Sequence, residues 1–146
     1  MASVDRFTLP DGLYYDREEH LWVRQETESL RIGLDALGVD ALGEVVHLEL
    51  VPEGSVVARG DALGSLEAEK MVRPLIAPAA GTVLRRNRAA LERPATVSAD
   101  PYGAGWLVLL DPSRWPEEAA QLVHGRDVAT WLEGEVAAYA GKGWIR

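Results

Sequence analysis

The chain has 146 residues, a formal net charge of −8 and 47% hydrophobic residues, which suits one soluble domain able to bury a core. The excess of acid argues against nucleic acid or an anionic membrane as partner, since both call for a basic surface. With no cysteine, the chain has no disulfides, thiolate nucleophiles or Cys-ligated metals, so any sulfur redox chemistry has to come from a cofactor.

The first ten residues carry Asp5 and Arg6 and lack the apolar run of a secretory signal. No later apolar run approaches membrane-spanning length, and a cytoplasmic location is expected. Between about Leu21 and Leu110 the pattern is short strands broken by Gly and Pro. Asp35 to Gly43 reads as a short helix with an Asp N-cap and a glycine stop. Val45 to Leu50 reads as a strand, followed by a turn at Pro52-Glu53-Gly54.

The stretch "LEAEKMVRP", Leu66 to Pro74, contains Lys70. The chain has only one other lysine, Lys142 near its end, against thirteen arginines. Arginine supplies charge and bidentate hydrogen bonds at least as well; it does not supply an amine that can be deprotonated and acylated. A weak internal repeat surrounds this lysine. Gly54 to Leu63 resembles Gly81 to Leu91 with one inserted residue. If the copies are quasi-symmetric halves of a sandwich, the segment between them is a hairpin with Glu69-Lys70 near its middle. A rigid, protruding turn is what an enzyme that modifies a lysine by local structure requires.

Past Trp115 the chain changes character. Pro116 suits a first helical position, with Glu117 and Glu118 at the positive end of the dipole. From Asp127, Val128, Trp131, Leu132, Val136 and Tyr139 recur at helical spacing until Gly141. Trp22 and Trp106 read as core aromatics, and Gly103 and Gly105 as a tight turn around Tyr102. His20 reads as a hydrogen-bonded structural residue. The three histidines share no metal-ligand spacing, and no nucleophile–base arrangement or phosphate loop is present.

Several motifs in register resemble the H proteins of the glycine cleavage system. "YYDREEHLWVR" matches that family's opening strand, and "IGLDALGVDALGEVVHLEL" the next strand, helix and strand. "LGSLEAEKMVRPLIAPAAGTV" matches the lipoyl hairpin, and "DPYGAGWLVLL" a late loop and strand. The resemblance implies a mainly β barrel-sandwich hybrid of the lipoyl/biotinyl type. A short helix follows its second strand, and helices at the C-terminal end pack on it. It is expected to form a single domain over residues 1–146, with a core of about 13–112 and a helical segment of about 113–141.

The same resemblance implies a non-catalytic carrier with lipoate on Lys70, attached by a lipoate-protein ligase or lipoyltransferase. Glu67 and Glu69 are then recognition residues at the hairpin. The arm would bring a dithiol/disulfide to a cysteine-free chain, open to thiol–disulfide exchange.

Where the family shelters a cationic aminomethyl group in a polar cleft, this chain departs. By motif, Leu21 and Pro74 replace two acids and Leu37 replaces a histidine, while Glu19 stands where a small or polar residue is common. Leu21, Leu37 and Pro74 are therefore expected to line the arm's cleft, where an unpaired cation is costly to bury. This places a carrier of sulfur-containing intermediates first, working with a heterodisulfide-reductase-like complex. A glycine-cleavage carrier working with the glycine-cleavage enzymes stands second, and an unassigned lipoyl carrier third. Biotin is a rival cofactor because Met71 follows the lysine, but Glu69 stands where biotin acceptors carry a second Met. An unmodified interaction module is the remaining alternative.

Overall fold

The computed structural model describes residues Met1 to Arg146. Eleven strands form three sheets. A six-stranded antiparallel sheet runs β3(Tyr14–Tyr15)–β4(Leu21–Gln25)–β5(Leu30–Leu34)–β11(Val108–Pro112)–β10(Gly81–Arg86)–β7(Val56–Val57). It faces a three-stranded sheet, β6(Val45–Leu50)–β8(Ala62–Ala68)–β9(Val72–Ile76). The two are the layers of a barrel-sandwich hybrid. The main core lies between them and gathers Leu21, Val23, Ile32, Leu66, Leu75 and Val108, all at most 1% exposed. Alternation drives this arrangement, since every second residue of a strand points to the same face.

The helix α1 (Ala36–Leu42) starts where its sequence indicates. Asp35 caps it by accepting from the Gly38 amide at 2.8 Å. Gly43 ends it at φ +78°, a conformation costly for a residue with a Cβ. Strand β6 coincides with the predicted run. Near the C-terminus α4 covers Asp127–Gly141 and buries Val128, Leu132 and Val136.

Two expectations need correction. The segment after Pro116 is a turn leading into one 3₁₀ turn, Ala119–Gln121, rather than an α-helix. There the buried Glu118 carboxylate accepts from the Ala80 amide at 2.8 Å, which ties the chain to the body where a helix would carry it away. The internal repeat is structural only in its first half: Ala62 and Leu63 belong to β8, whereas Arg88–Glu92 form helix α2. Helix α3 (Ala95–Ala99) follows.

The repeat's geometric implication holds. Val56 pairs with Thr82 and Val57 with Gly81, and inside them Ala62 pairs with Ile76. These nested antiparallel pairs are centred on Glu69, next to Lys70.

An N-terminal hairpin of β1 (Ala2–Val4) and β2 (Phe7–Leu9) was not predicted. With α4 it builds a second core around Phe7, Leu9, Tyr15, Trp22, Leu37 and Leu132. This core covers one end of the outer face of the six-stranded sheet. No helix is long and apolar enough to cross a membrane.

Candidate functional site

Lys70 stands exposed at the tip of the β8–β9 hairpin. The tip is held by backbone. The Ala68 amide donates to the Met71 carbonyl at 2.9 Å and closes the turn, while Glu69 N donates to Glu44 O at 3.0 Å. The Lys70 amide donates to Leu42 O at 3.1 Å. Leu42 ends α1, so this bond satisfies one of the carbonyls a helix leaves unpaired.

Glu69 returns the link, its carboxylate accepting from the Glu44 amide at 2.8 Å. A Cβ on Gly43 would lie only 3.3 Å from Glu69 Cβ, so the glycine that stops α1 also admits the hairpin tip. The backbone that carries Lys70 is thus fastened on both sides. Its amine is tied less firmly: Nζ donates to Asp40 O at 3.1 Å. That carbonyl belongs to the last turn of α1, at the negative end of the helix dipole. One exposed hydrogen bond is worth about 1 kcal/mol or less, so an acylating enzyme can detach the amine without disturbing the fold.

A cleft of about 620 Å³ opens beside the amine, lined by Arg6, Asp40, Glu69, Ser98 and Arg146 among others. Arg6 spans it, donating to Asp40 Oδ2 at 2.7 Å and to the Arg146 carbonyl at 3.1 Å. A primary amine on a fixed tip, with open space around it, fits a covalently attached arm. Lipoate there supplies a dithiol/disulfide on a long tether. The chain's part is to present the amine, keep the tip rigid and leave the side chain free to swing.

Of the other predicted residues, Glu67 is exposed on β8, opposite Val72 of β9 and His47 of β6. Glu69 has the structural use just described. Leu21, Leu37 and Pro74 do not come together as one open cleft. Leu21 is fully buried between the sheets, and Leu37 is fully buried in the second core beneath α4, with Leu132 and Val136. Pro74 is exposed on β9. None of the three lines the cleft beside Lys70. Covering an aliphatic side chain gains about 25 cal/mol per Å², and here the opposite sheet and α4 supply the cover.

What spans this region instead is an ion pair that sequence reasoning missed. Arg73, three residues after Lys70, donates from Nη2 to the Glu19 carbonyl at 3.0 Å and to its carboxylate at 3.1 Å. The partners lie 54 positions apart, with no local signal to join them.

His20 is the structural residue expected, though with more elaborate partners. It is fully buried, at φ +57°. Nδ1 lies 2.8 Å from Asp35 Oδ2, and Nε2 lies 2.7 Å from Glu135 Oε1. Its ring stacks on Trp131 at 5.1 Å and meets Tyr139 edge-on. Burial opposes its charge, but the two carboxylates outweigh burial and raise its pKa above the ordinary value. Through these two carboxylates His20 joins the N-cap of α1 to α4. Burial also pushes the Tyr139 hydroxyl up to about 12, so it is neutral at working pH.

Comparison with known proteins covers most of the chain. The sequence model of the family described as "Glycine cleavage H-protein" matches residues 13–135. The glycine cleavage system H protein of Synechococcus sp. (strain CC9311) is 39% identical over 132 residues, covering 90% of this chain and 98% of its own. That of Cyanothece sp. (strain PCC 7425 / ATCC 29141) is 42% identical over 125 residues, covering 86% and 95%. A crystal structure of a glycine cleavage system H protein from Mycobacterium marinum superposes with a TM-score of 0.68 at 34% identity. It covers 77% of this chain and 98% of that one.

Proposed function

Because the chain belongs to the glycine cleavage H-protein family, whose members are non-catalytic lipoyl carriers, we propose that it carries a glycine-derived group between the enzymes of glycine cleavage. The observation that supports this most is the match over residues 13–135, within which Lys70 occupies the fixed, exposed tip. The proposed partners are the glycine-cleavage enzymes and a lipoate-protein ligase, in the cytoplasm, with residues 1–146 acting as one domain. Glu67 is proposed as the acidic recognition residue beside Lys70, with Glu69 contributing mainly by holding the tip.

The sulfur-carrying expectation moves to second place. Its support was the apolar character of Leu21, Leu37 and Pro74, and two of these side chains are packed in the core rather than offered to an arm. A carboxylate is also present nearby, since Glu19 is partly exposed and held by Arg73. The relatives reported above are glycine cleavage proteins, and none supports a heterodisulfide-reductase-like partner.

Genetic replacement tests the choice. A host lacking its own H protein and dependent on glycine for one-carbon units should grow when supplied with this chain, and should not grow with Lys70→Arg. Failure of the wild-type chain in that host, together with loss of growth on reduced sulfur when the gene is deleted from its source, would restore the sulfur reading.

A further inference from the structure

Arg85 of β10, Leu109 of β11, Arg31 of β5 and Arg24 of β4 lie in one row across the six-stranded sheet. Directly opposed residues of antiparallel neighbours share a face. The adjacent row, Val23, Ile32 and Val108, is buried in the core, so the arginine row faces outward. With strands about 4.8 Å apart, it extends about 14 Å. At its β10 end Arg86 and Arg88 join Arg85 around a cleft of about 480 Å³, which Asn87 and Trp106 also line.

Four of the thirteen arginines of an acidic chain, Arg24, Arg31, Arg85 and Arg88, are thereby gathered on one surface, while Arg86, paired with the buried Val108, reaches the cleft from the core side. The acids among them are few. Glu26 pairs with Arg31 at 2.8 Å, Glu53 lies 3.6 Å from Arg88, and Asp111 shares the sheet face. Arg85 has no ion pair, and Arg24 donates only to a carbonyl, that of Tyr102, at 3.1 Å. The Nε of Arg86 is buried without a hydrogen-bond partner. The guanidinium of Arg24 sits 5.0 Å over Trp22, and that of Arg31 4.5 Å over Trp106. Stacking uses the flat face of a guanidinium and leaves its edge for in-plane bonds to a carboxylate. At Arg31 Glu26 already takes that edge, at Arg24 only one donor is used, and Arg85 has its whole edge available.

We propose that this row and cleft form a docking surface for an acidic segment of a partner protein, with one Glu or Asp side chain entering among Arg85, Arg86 and Arg88. The elongated arrangement matches an extended run of carboxylates better than a compact phosphate. None of these arginines lines the cleft beside Lys70, so a partner seated here leaves the tip free. The inference rests on the carrier reading, but not on which group is carried.

The test uses the lipoylated full chain, its Arg85→Glu/Arg88→Glu variant at two exposed positions, and Arg85→Lys/Arg88→Lys as a charge-retaining control. Each is titrated with the partner glycine-cleavage enzymes and, independently of any cargo, with an oligoglutamate peptide. Charge reversal should weaken binding about tenfold and flatten its salt dependence. The Lys control should lose less than the reversal, and kcat at saturating carrier should stay unchanged. If glycine cleavage proves not to be the role, the peptide measurement still decides. Equal binding by wild type and the reversed variant overturns the proposal. So does occupancy of the cleft by inorganic phosphate with no response to oligoglutamate. Loss of affinity accompanied by a lowered melting temperature would shift the decision to Arg85→Glu alone, which must still weaken binding several-fold.

Discussion

Replacing Glu135 by Gln keeps a hydrogen-bonding group opposite His20 Nε2 and removes only the charge. His20 is fully buried, with Asp35 at 2.8 Å on one ring nitrogen and Glu135 at 2.7 Å on the other. A hydrogen bond to a charged group contributes about 1.5–3 kcal/mol and a neutral one about 1. The substitution should therefore cost about 1–2 kcal/mol while the imidazole is protonated. For a chain of this length that corresponds to a fall in Tm of about 3–6 °C.

The sign of the pH dependence follows from the raised pKa of His20. The folded state binds the proton more tightly than the unfolded chain. The contribution is therefore fully present below the ordinary histidine pKa and is lost as pH rises through the higher folded value. Above that value the neutral ring, donating to Asp35, turns a lone pair toward the Glu135 carboxylate. The Gln amide can donate to that lone pair, so the difference between the proteins should shrink and then reverse. Urea unfolding of both proteins from mildly acidic to mildly alkaline pH measures it. A constant difference across that range, or a greater loss at alkaline pH, would refute a charged His20 bridge.

Lys70→Arg should show no lipoyl increment by intact mass after treatment with a lipoate-protein ligase, while wild type gains one. Its stability should stay within about 0.5 kcal/mol of wild type because the residue is exposed. Leu37→Ala should cost about 2–5 kcal/mol by opening a cavity beneath α4, read as a lower urea midpoint. Gly64→Ala should prevent the hairpin from forming, since its Cβ would overlap the Glu49 carbonyl; the expected result is insoluble or unfolded protein by circular dichroism.

What the sequence made legible follows its local signals. Helix α1 was readable because Asp35 and Gly43 cap it within nine residues, and α4 because its apolar residues recur at helical spacing. Lys70 was readable from chemistry, as a side chain that arginine cannot replace, and from its place at the centre of a nested hairpin. The N-terminal hairpin was not, because strands of three residues carry too few alternations to show a period. The arm cleft was misjudged for a related reason. Aligned positions give residue identity, but whether Leu21 and Leu37 meet an arm or a core depends on the opposite sheet and on α4. The Arg73–Glu19 and His20–Glu135 bridges join residues 54 and 115 positions apart, beyond any local pattern.

The carrier role is tested most directly with the purified chain, before and after lipoylation, beside glycine decarboxylase. Lipoylated wild type should support exchange of bicarbonate carbon into the carboxyl group of glycine at a rate comparable to that of a relative's H protein. Unmodified protein and Lys70→Arg should give only the background rate. Equal rates with and without the arm, or no exchange by fully lipoylated wild type, would contradict the account.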